Sequence, residues 1–333
     1  LGAAQNVLGG IYAGLDQLPE AIAAYEKALK AEAGTITTHL NLGLIYRTQR
    51  NTEAAEASYR KALTMEPENV DVLVGLASVL MEAGRKNDAI ETFKQALVID
   101  PENGDAKHMV AALTGETTET APEAYVKSLF DFYAPNFDQD LAERLQYKIP
   151  FQMREVVDQY LADQEPATTP DFTCLLDQGC GTGMVGEAFQ NCTDEMIGLD
   201  LAPKMIAAAT QKDIYSELHE IELTDYLAGA LSAERKFDIV TAADVFIYVG
   251  KLDDLFATTA KRLQTGALYV FSVENSNSAD FVLRNSGRYA QSRAYIEKLA
   301  DTNGFSIEVA EPAKIRKHGN EFMPGTIYIL KYA

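Results

Sequence analysis

The residues best suited to chemistry form one short run, Asp177-Gln178-Gly179-Cys180-Gly181-Thr182-Gly183. Glycines at alternate positions let a backbone turn tightly and approach a ligand closely. A helix opening just after them adds oriented N–H groups. Asp200 ends the next apolar run, where an acid can accept hydrogen bonds from both ribose hydroxyls. Glu222, at the end of a third strand-like run, is placed to receive an adenine amino group. The glycines also read Gly181-Thr182-Gly183-Met184-Val185-Gly186, the G-x-G-x-x-G pattern of dinucleotide sites. Asp200 lies 19 residues after Gly181, near the ~20 of that motif. The glycines alone leave both NAD and S-adenosylmethionine open. Asp177 adds a distinction, because dinucleotide sites usually keep an apolar residue there. A carboxylate at the strand end suits a cationic ammonium and repels a pyrophosphate, which favours S-adenosylmethionine.

These residues need a scaffold that ends strands beside one another. From Phe172 onward strand-like runs alternate with helical ones. Strands are expected at Phe172–Leu176, Met196–Leu199, His219–Leu223, Phe237–Ala242, Ala267–Val273, Phe305–Ala310 and Thr326–Tyr332. Helices are expected at Met184–Gln190, Pro203–Thr210, Leu252–Leu263 and Ser292–Asn303. The alternation predicts an α/β domain with a mostly parallel sheet covered on both faces. Ligands bind such sheets at the carboxyl ends of the strands.

The first third is organised differently. Leu8-Gly9-Gly10-Ile11-Tyr12 recurs as Leu42-Gly43-Leu44-Ile45-Tyr46, a period of 34 residues. The same shift carries Ala21 to Ala55 to Ala89, Tyr25 to Tyr59 to Phe93, and Ala28 to Ala62 to Ala96. Pro67 and Pro101 close the second and third units, while Ala33 takes that place in the first. The third unit has Ala77 and Leu80 where the others have Gly and Tyr. A small residue lets paired helices approach, the aromatic ring fills the gap, and proline ends the second helix. A capping helix is expected at about Asp105–Leu113. The organisation is therefore a helical repeat array at 1–113, a polar linker at 114–122, and the α/β domain at 123–333. Residues 123–162 form a helical lid at the start of that domain, and Asp163–Asp171 is a second loop.

The net charge is −20, of which −5 falls in residues 1–115 and −15 in the remainder. That field repels a phosphate backbone, so nucleic acid is not an expected partner. Cys174, Cys180 and Cys192 lack metal-site spacing, so no metal is expected, and the chain fits a reducing, cytoplasmic compartment. No apolar run is long enough for a membrane span. The chain opens on Leu1 inside a helical pattern, which leaves open further repeats or a targeting segment before it. His318, in a polar loop with Lys317 and Glu321, reads as surface decoration and is a weak catalytic candidate beside Asp244 and Tyr248.

On these motifs, residues 172–275 resemble a class I S-adenosylmethionine-dependent methyltransferase. The D-x-G-x-G-x-G element is Asp177 to Gly183, the ribose acid is Asp200, and the segment after strand four is Ala242–Tyr248. The N-terminal units resemble tetratricopeptide repeats. The whole chain resembles predicted bacterial methyltransferases carrying such repeats, through Leu129-Phe130-Asp131 with Tyr133-Ala134, Gly287–Ala290, Ile315-Arg316-Lys317 and Pro324-Gly325. The resemblance implies a Rossmann-like, mostly parallel seven-stranded sheet with an antiparallel edge strand. It implies that Asp177 faces the methionine ammonium and that Gly179, Cys180 and Gly181 line the cofactor. Asp200 would hold the ribose, with Leu201 against adenine and Met205, Glu222 and Leu223 nearby. Asp244 would lie beside cofactor and substrate, Tyr133 would close a lid, and Tyr248 would line the acceptor pocket. Gln178 and Glu222 depart from the pattern. The implied activity is methyl transfer by in-line displacement to a protein, peptide or small-molecule acceptor. A protein or peptide partner would occupy the concave face of the repeats. Two other readings stay open: an adaptor that binds cofactor without turnover, and an NAD-dependent oxidoreductase.

Overall fold

The computed structural model describes the chain except residues 16, 135–136, 140–144, 165–170, 230–233, 279 and 319–320, and the side chains of 139 and 318. It divides into two compact units, Leu1–Glu116 and Thr117–Ala333.

The first unit is a stack of helix pairs. They are α1 (Gly2–Gly14) with α2 (Leu18–Lys30), α3 (Ile36–Thr48) with α4 (Thr52–Met65), and α5 (Val70–Glu82) with α6 (Lys86–Ile99). A final helix, α7 (Gly104–Thr114), follows at the expected place. Asparagine caps start three of them: Asn51, Asn69 and Asn103 accept the N–H of Ala54, Val72 and Ala106. The repeating alanines Ala21, Ala55, Ala89, Ala28, Ala62 and Ala96 have no exposed surface. Tyr59 is likewise fully buried, wedged between Gly43 of its own pair and Gly75 of the next. A Cβ on Gly43 would lie 2.8 Å from that ring, and one on Gly75 would lie 2.7 Å from it. Gly9 stands to Tyr25 as Gly43 does to Tyr59, at 2.6 Å.

The second unit opens with α8 (Glu123–Tyr133), the short α9 (Phe137–Gln139) and α10 (Ile149–Ala162). The sheet follows: β1 (Phe172–Gln178), β2 (Thr193–Asp200), β3 (Glu217–Glu220), β4 (Phe237–Ala242) and β5 (Leu263–Ser276), parallel in the order β3-β2-β1-β4-β5. β9 (Glu321–Tyr332) runs antiparallel to β5, and β8 (Phe305–His318) pairs antiparallel with β9. Two short strands were not anticipated, β6 (Phe281–Leu283) and β7 (Tyr289–Ser292), which extend the end of β5. They are too short to give a period-two signal. The remaining helices are α11 (Met184–Phe189), α12 (Pro203–Gln211), α13 (Leu223–Ala228), α14 (Asp253–Ala260) and α15 (Arg293–Thr302).

Neighbouring residues on one strand serve opposite cores, as strand geometry requires. Leu176, Leu199 and Phe271 join one cluster with α13, α14 and α15. Leu175, Met196 and Val270 join the other with Met153 and Val157 of α10. Gln178 departs from the usual apolar residue, yet it is fully buried and satisfied: Tyr269 Oη donates to its Oε1 at 2.8 Å, and its Nε2 donates to Thr259 at 3.1 Å.

The expected third strand needs correction. It spans Glu217–Glu220, and Leu223 instead begins α13. Glu222 caps that helix, accepting the N–H of Asp225 at 2.9 Å. A capping acid three residues before Asp225 outweighs the weak alternation that suggested a longer strand. The expected linker is also only partly a linker. Thr117–Ala121 is docked: Ala121 N–H donates to Tyr248 O at 3.1 Å, Lys251 N–H to Glu119 O at 2.8 Å, and Thr120 bridges Val249.

The tight Gly43–Tyr59 contact makes a clear prediction. Gly→Ala within a helix is ordinarily stabilising by about 1 kcal/mol. Gly43→Ala should instead destabilise the array by about 1–3 kcal/mol, because the added carbon overpacks a locked ring. Chemical denaturation followed by circular dichroism measures this, and a gain in stability would refute the packing argument.

Candidate functional site

The site lies where the strand order reverses, between β1 and β4, at the carboxyl ends of the parallel strands. Asp177, near the end of β1, has no exposed surface. Tyr215 Oη donates to its Oδ2 at 2.6 Å and Thr241 Oγ1 to its Oδ1 at 3.0 Å. Burial still dominates over these two donors, and the charge of Asp200 adds to it, so the carboxyl pKa is pushed up to about 7. A raised carboxyl pKa means that the charged form is disfavoured by the fold. Its favourable contribution is full below the ordinary value of 3.8 and is lost as pH rises through about 7. A cation brought beside Asp177 reverses that balance.

The glycine loop is shaped by specific neighbours. Gly179, Gly181 and Gly183 all have positive φ, at 68°, 54° and 93°. A Cβ on Gly179 would strike Val245 at 2.6 Å, whereas one on Gly181 would meet nothing within 4 Å. Gly181 therefore faces open space in which a ligand can approach the backbone. Gly186 has another purpose. Its N–H donates to Tyr215 Oη at 3.1 Å, and a Cβ there would lie 2.9 Å from the tyrosine ring. The third glycine of the G-x-G-x-x-G pattern thus makes room for the tyrosine that holds Asp177.

Asp200 ends β2 with both oxygens engaged. Gly181 N–H donates to Oδ2 at 2.9 Å and Ala202 N–H to Oδ1 at 2.8 Å. Burial nonetheless raises its pKa, offset in part by these backbone donors. The first bond ties the glycine loop to the end of β2, so the two expected ligand contacts are one rigid object. Leu201 follows, half-buried. Cys180 is buried beneath the loop, its N–H donating to Leu199 O at 2.8 Å, and burial pushes its thiol up. Met205 is fully buried on α12, and Leu223 packs into the core with Leu199 and Tyr226.

The helical segment before the sheet reaches the same loops. Lys204 N–H donates to Asp131 Oδ1 at 3.3 Å, which fixes α8 beside the start of α12. Asp138 of α9 hydrogen-bonds Thr182 of the glycine loop and pairs with Lys212 at 3.0 Å. Tyr133, at the end of α8 between these anchors, is half-buried and touches Phe132 edge-on.

Beyond β4 the character changes. Asp244 has φ +60°, a conformation that costs a non-glycine residue about 1–3 kcal/mol. Arg316 holds it with a two-pronged contact, Nη1 lying 2.9 and 2.6 Å from the two carboxylate oxygens, and the Asp244 N–H donates to Ser272 Oγ at 2.9 Å. Tyr248 is buried, with the Phe130 ring edge-on at 5.2 Å. Gln291 fixes its loop by donating to Phe246 O and Val249 O at 2.9 and 3.0 Å. Tyr147 lies close enough to Asp244, Arg316 and Asp177 to feel all three charges. His318 ends β8, but its side chain lies outside the described residues.

The sequence reading did not single out Tyr215 or Thr241, and it gave no role to Asp138 or Arg316. No local signal marks the first two, since each acts across the fold. No group of described residues is arranged to hold a metal ion, and none of the described helices is long and apolar enough to cross a membrane.

Comparison with known proteins agrees with this architecture. Residues 1–68 and 46–113 match tetratricopeptide-repeat family models, and residues 176–269 match a methyltransferase-domain model. The chain thus joins tetratricopeptide repeats to a methyltransferase domain. It is 27% identical over 111 residues to the ubiquinone biosynthesis O-methyltransferase of Leptothrix cholodnii, covering 33% of this chain and 47% of that protein. It is 28% identical over 173 residues to the dTDP-3-amino-3,4,6-trideoxy-alpha-D-glucopyranose N,N-dimethyltransferase of Streptomyces venezuelae, covering 47% of this chain and 70% of that one. A solved magnesium protoporphyrin IX methyltransferase from Synechocystis, with bound S-adenosylhomocysteine, is 16% identical at a TM-score of 0.47, covering 64% of this chain and 100% of that one. The chain spans about half the length of the curated relatives it first matches.

The Asp177 arrangement can be tested directly. Tyr215→Phe should raise the Asp177 midpoint above the wild-type value of about 7 and cost about 1–3 kcal/mol of stability. Carboxyl-carbon NMR titration reads the midpoint. Values near 4 in both proteins would contradict the burial argument.

Proposed function

We propose that the chain is an S-adenosylmethionine-dependent methyltransferase. The observation that carries this reading is the buried Asp177 carboxylate at the end of β1, uncompensated by any cation among the described residues. A pyrophosphate placed there would add repulsion, while an ammonium supplies the missing charge. The open space over Gly181 and the carboxylate of Asp200 fit the remaining requirements, a close backbone approach and a ribose acceptor. When bound, S-adenosylmethionine supplies an electrophilic methyl carbon whose S–C bond breaks, with the electron pair left on sulfur.

The residues then have positional tasks. Asp177 balances the ammonium. Asp200 accepts ribose hydroxyls on its remaining lone pairs while its backbone bonds hold it still. The α8–α9 segment, anchored through Asp131 and Asp138, excludes water from the reacting end, with Tyr133 between its anchors. Tyr248 and Asp244 border the acceptor side. In-line displacement needs chiefly alignment and desolvation, so positioning is what this chain contributes. The acceptor is a protein, a peptide or a small molecule. The repeats recruit a protein or peptide partner through their concave face.

Asp200→Ala should weaken S-adenosylmethionine binding at least tenfold by calorimetry, since one side chain serves both the ribose and the glycine loop. NADH should give no heat of binding. Tight NADH binding without S-adenosylmethionine binding would return the site to a dinucleotide oxidoreductase. Transfer of label from isotopic S-adenosylmethionine into a lysate component should accompany binding, and binding without any transfer would favour the adaptor.

A further inference from the structure

We infer that the methyl acceptor carries a carboxylate group and that Arg288, beside Tyr248, binds it. This deepens the proposed methyl transfer and rests on it.

Around the carboxyl ends of β4 and β5, Arg284, Arg288 and Arg316 lie near the carboxylates of Asp244 and Glu274. Arg316 Nη1 occupies both oxygens of Asp244, at 2.9 and 2.6 Å, and its Nη2 hydrogen-bonds Glu274 Oε1. The other oxygen of Glu274 takes Arg284 Nη1 at 2.5 Å, and Arg284 Nη2 donates to Asn275 O at 2.6 Å. Glu274 and Arg316 are almost wholly buried. Both acids are therefore consumed by Arg316 and Arg284. Arg288 has no carboxylate within ion-pair distance among the described residues. Against the opposing effect of burial, the pKa of its guanidinium is raised by Tyr248 close by and by the more distant Asp244 and Glu274.

The position of Arg288 is set by the fold. Its carbonyl accepts the Arg284 N–H at 2.9 Å, and the next residue, Tyr289, donates its N–H to Ile247 O at 2.8 Å. Arg288 is thus pinned to the loop that carries Tyr248, the side of the site assigned to the acceptor. Arg288 is half-buried, and a partly desolvated cation with no acid beside it gains from an incoming anion. In a chain of net charge −20 this local surplus of positive charge does not follow from composition. A guanidinium fork matches the two oxygens of a planar carboxylate. The aromatic walls, Tyr248 with Phe130 edge-on, suit an apolar body attached to that group.

Benzoate, benzamide and inorganic phosphate test the idea by calorimetry on the full chain saturated with S-adenosylhomocysteine. Benzoate should bind saturably and benzamide at least tenfold more weakly. Arg288→Gln should weaken benzoate at least tenfold while S-adenosylhomocysteine affinity stays within about twofold, and Arg288→Lys should retain part of the benzoate affinity. Equal binding of benzoate and benzamide, phosphate binding without benzoate binding, or an unchanged Arg288→Gln would each overturn the inference. Should that variant not fold, the benzoate–benzamide comparison on the unaltered chain decides. Failure of S-adenosylhomocysteine to bind at all would instead remove the underlying methyltransferase reading, and this inference with it.

Discussion

Asp177 is a carboxylate with no exposed surface, held by a tyrosine and a threonine rather than by a cation. Leaving such a group buried is costly, and the surrounding elements are arranged to tolerate it. Tyr215 reaches it only because Gly186 has no side chain, and Gly186 rewards the approach with an N–H for the tyrosine oxygen. Thr241 reaches it because β4 lies beside β1 in parallel register, with Asp177 opposite Thr241. The Gly181–Asp200 bond then carries the geometry across to β2. Loop, strand ends and tyrosine form one unit whose missing element is a positive charge.

A second charge balance governs the other half of the site. There a strained Asp244 is held by Arg316, and Glu274 is shared by two arginines. The two halves are opposite in sign: among the described residues Asp177 has no cation beside it, and Arg288 has no acid within ion-pair distance. Thr117–Ala121 and Gln291 fix the loop that borders the second half and carries Tyr248. Reaction by alignment needs that kind of rigidity.

Much of this was legible in the residues. β4 spans Phe237–Ala242 as its apolar run indicates, and the glycine-loop helix begins at Met184 where the last positive-φ glycine ends the turn. The repeat period placed Gly43 against Tyr59 and Gly9 against Tyr25, because periodic small and aromatic positions have one packing solution. Less was legible where contacts join distant segments. Tyr215 sits in a loop before β3 and looks like any half-exposed tyrosine until the fold brings it to Asp177. Gly186 read as a dinucleotide signature because the spacing of glycines does not say what occupies the space they leave. Glu222 read as a strand end because its cap partner, Asp225, lies within the helix that the strand assignment overran. Arg288 stood in the Gly287–Ala290 run of the resemblance but was given no role, since a surplus cation is defined only once the other arginines have found their acids.

The claim at the centre is that Asp177 waits for a cation, and proton linkage measures it most directly. At about pH 6, one unit below the Asp177 midpoint of about 7, the free carboxyl is largely protonated, and a bound ammonium favours the charged form. Titration calorimetry with S-adenosylmethionine in buffers of different ionisation enthalpy should therefore report release of most of a proton per site. That release should vanish when Asp177 is replaced by asparagine. Binding with no net proton release by the unaltered chain would contradict the account.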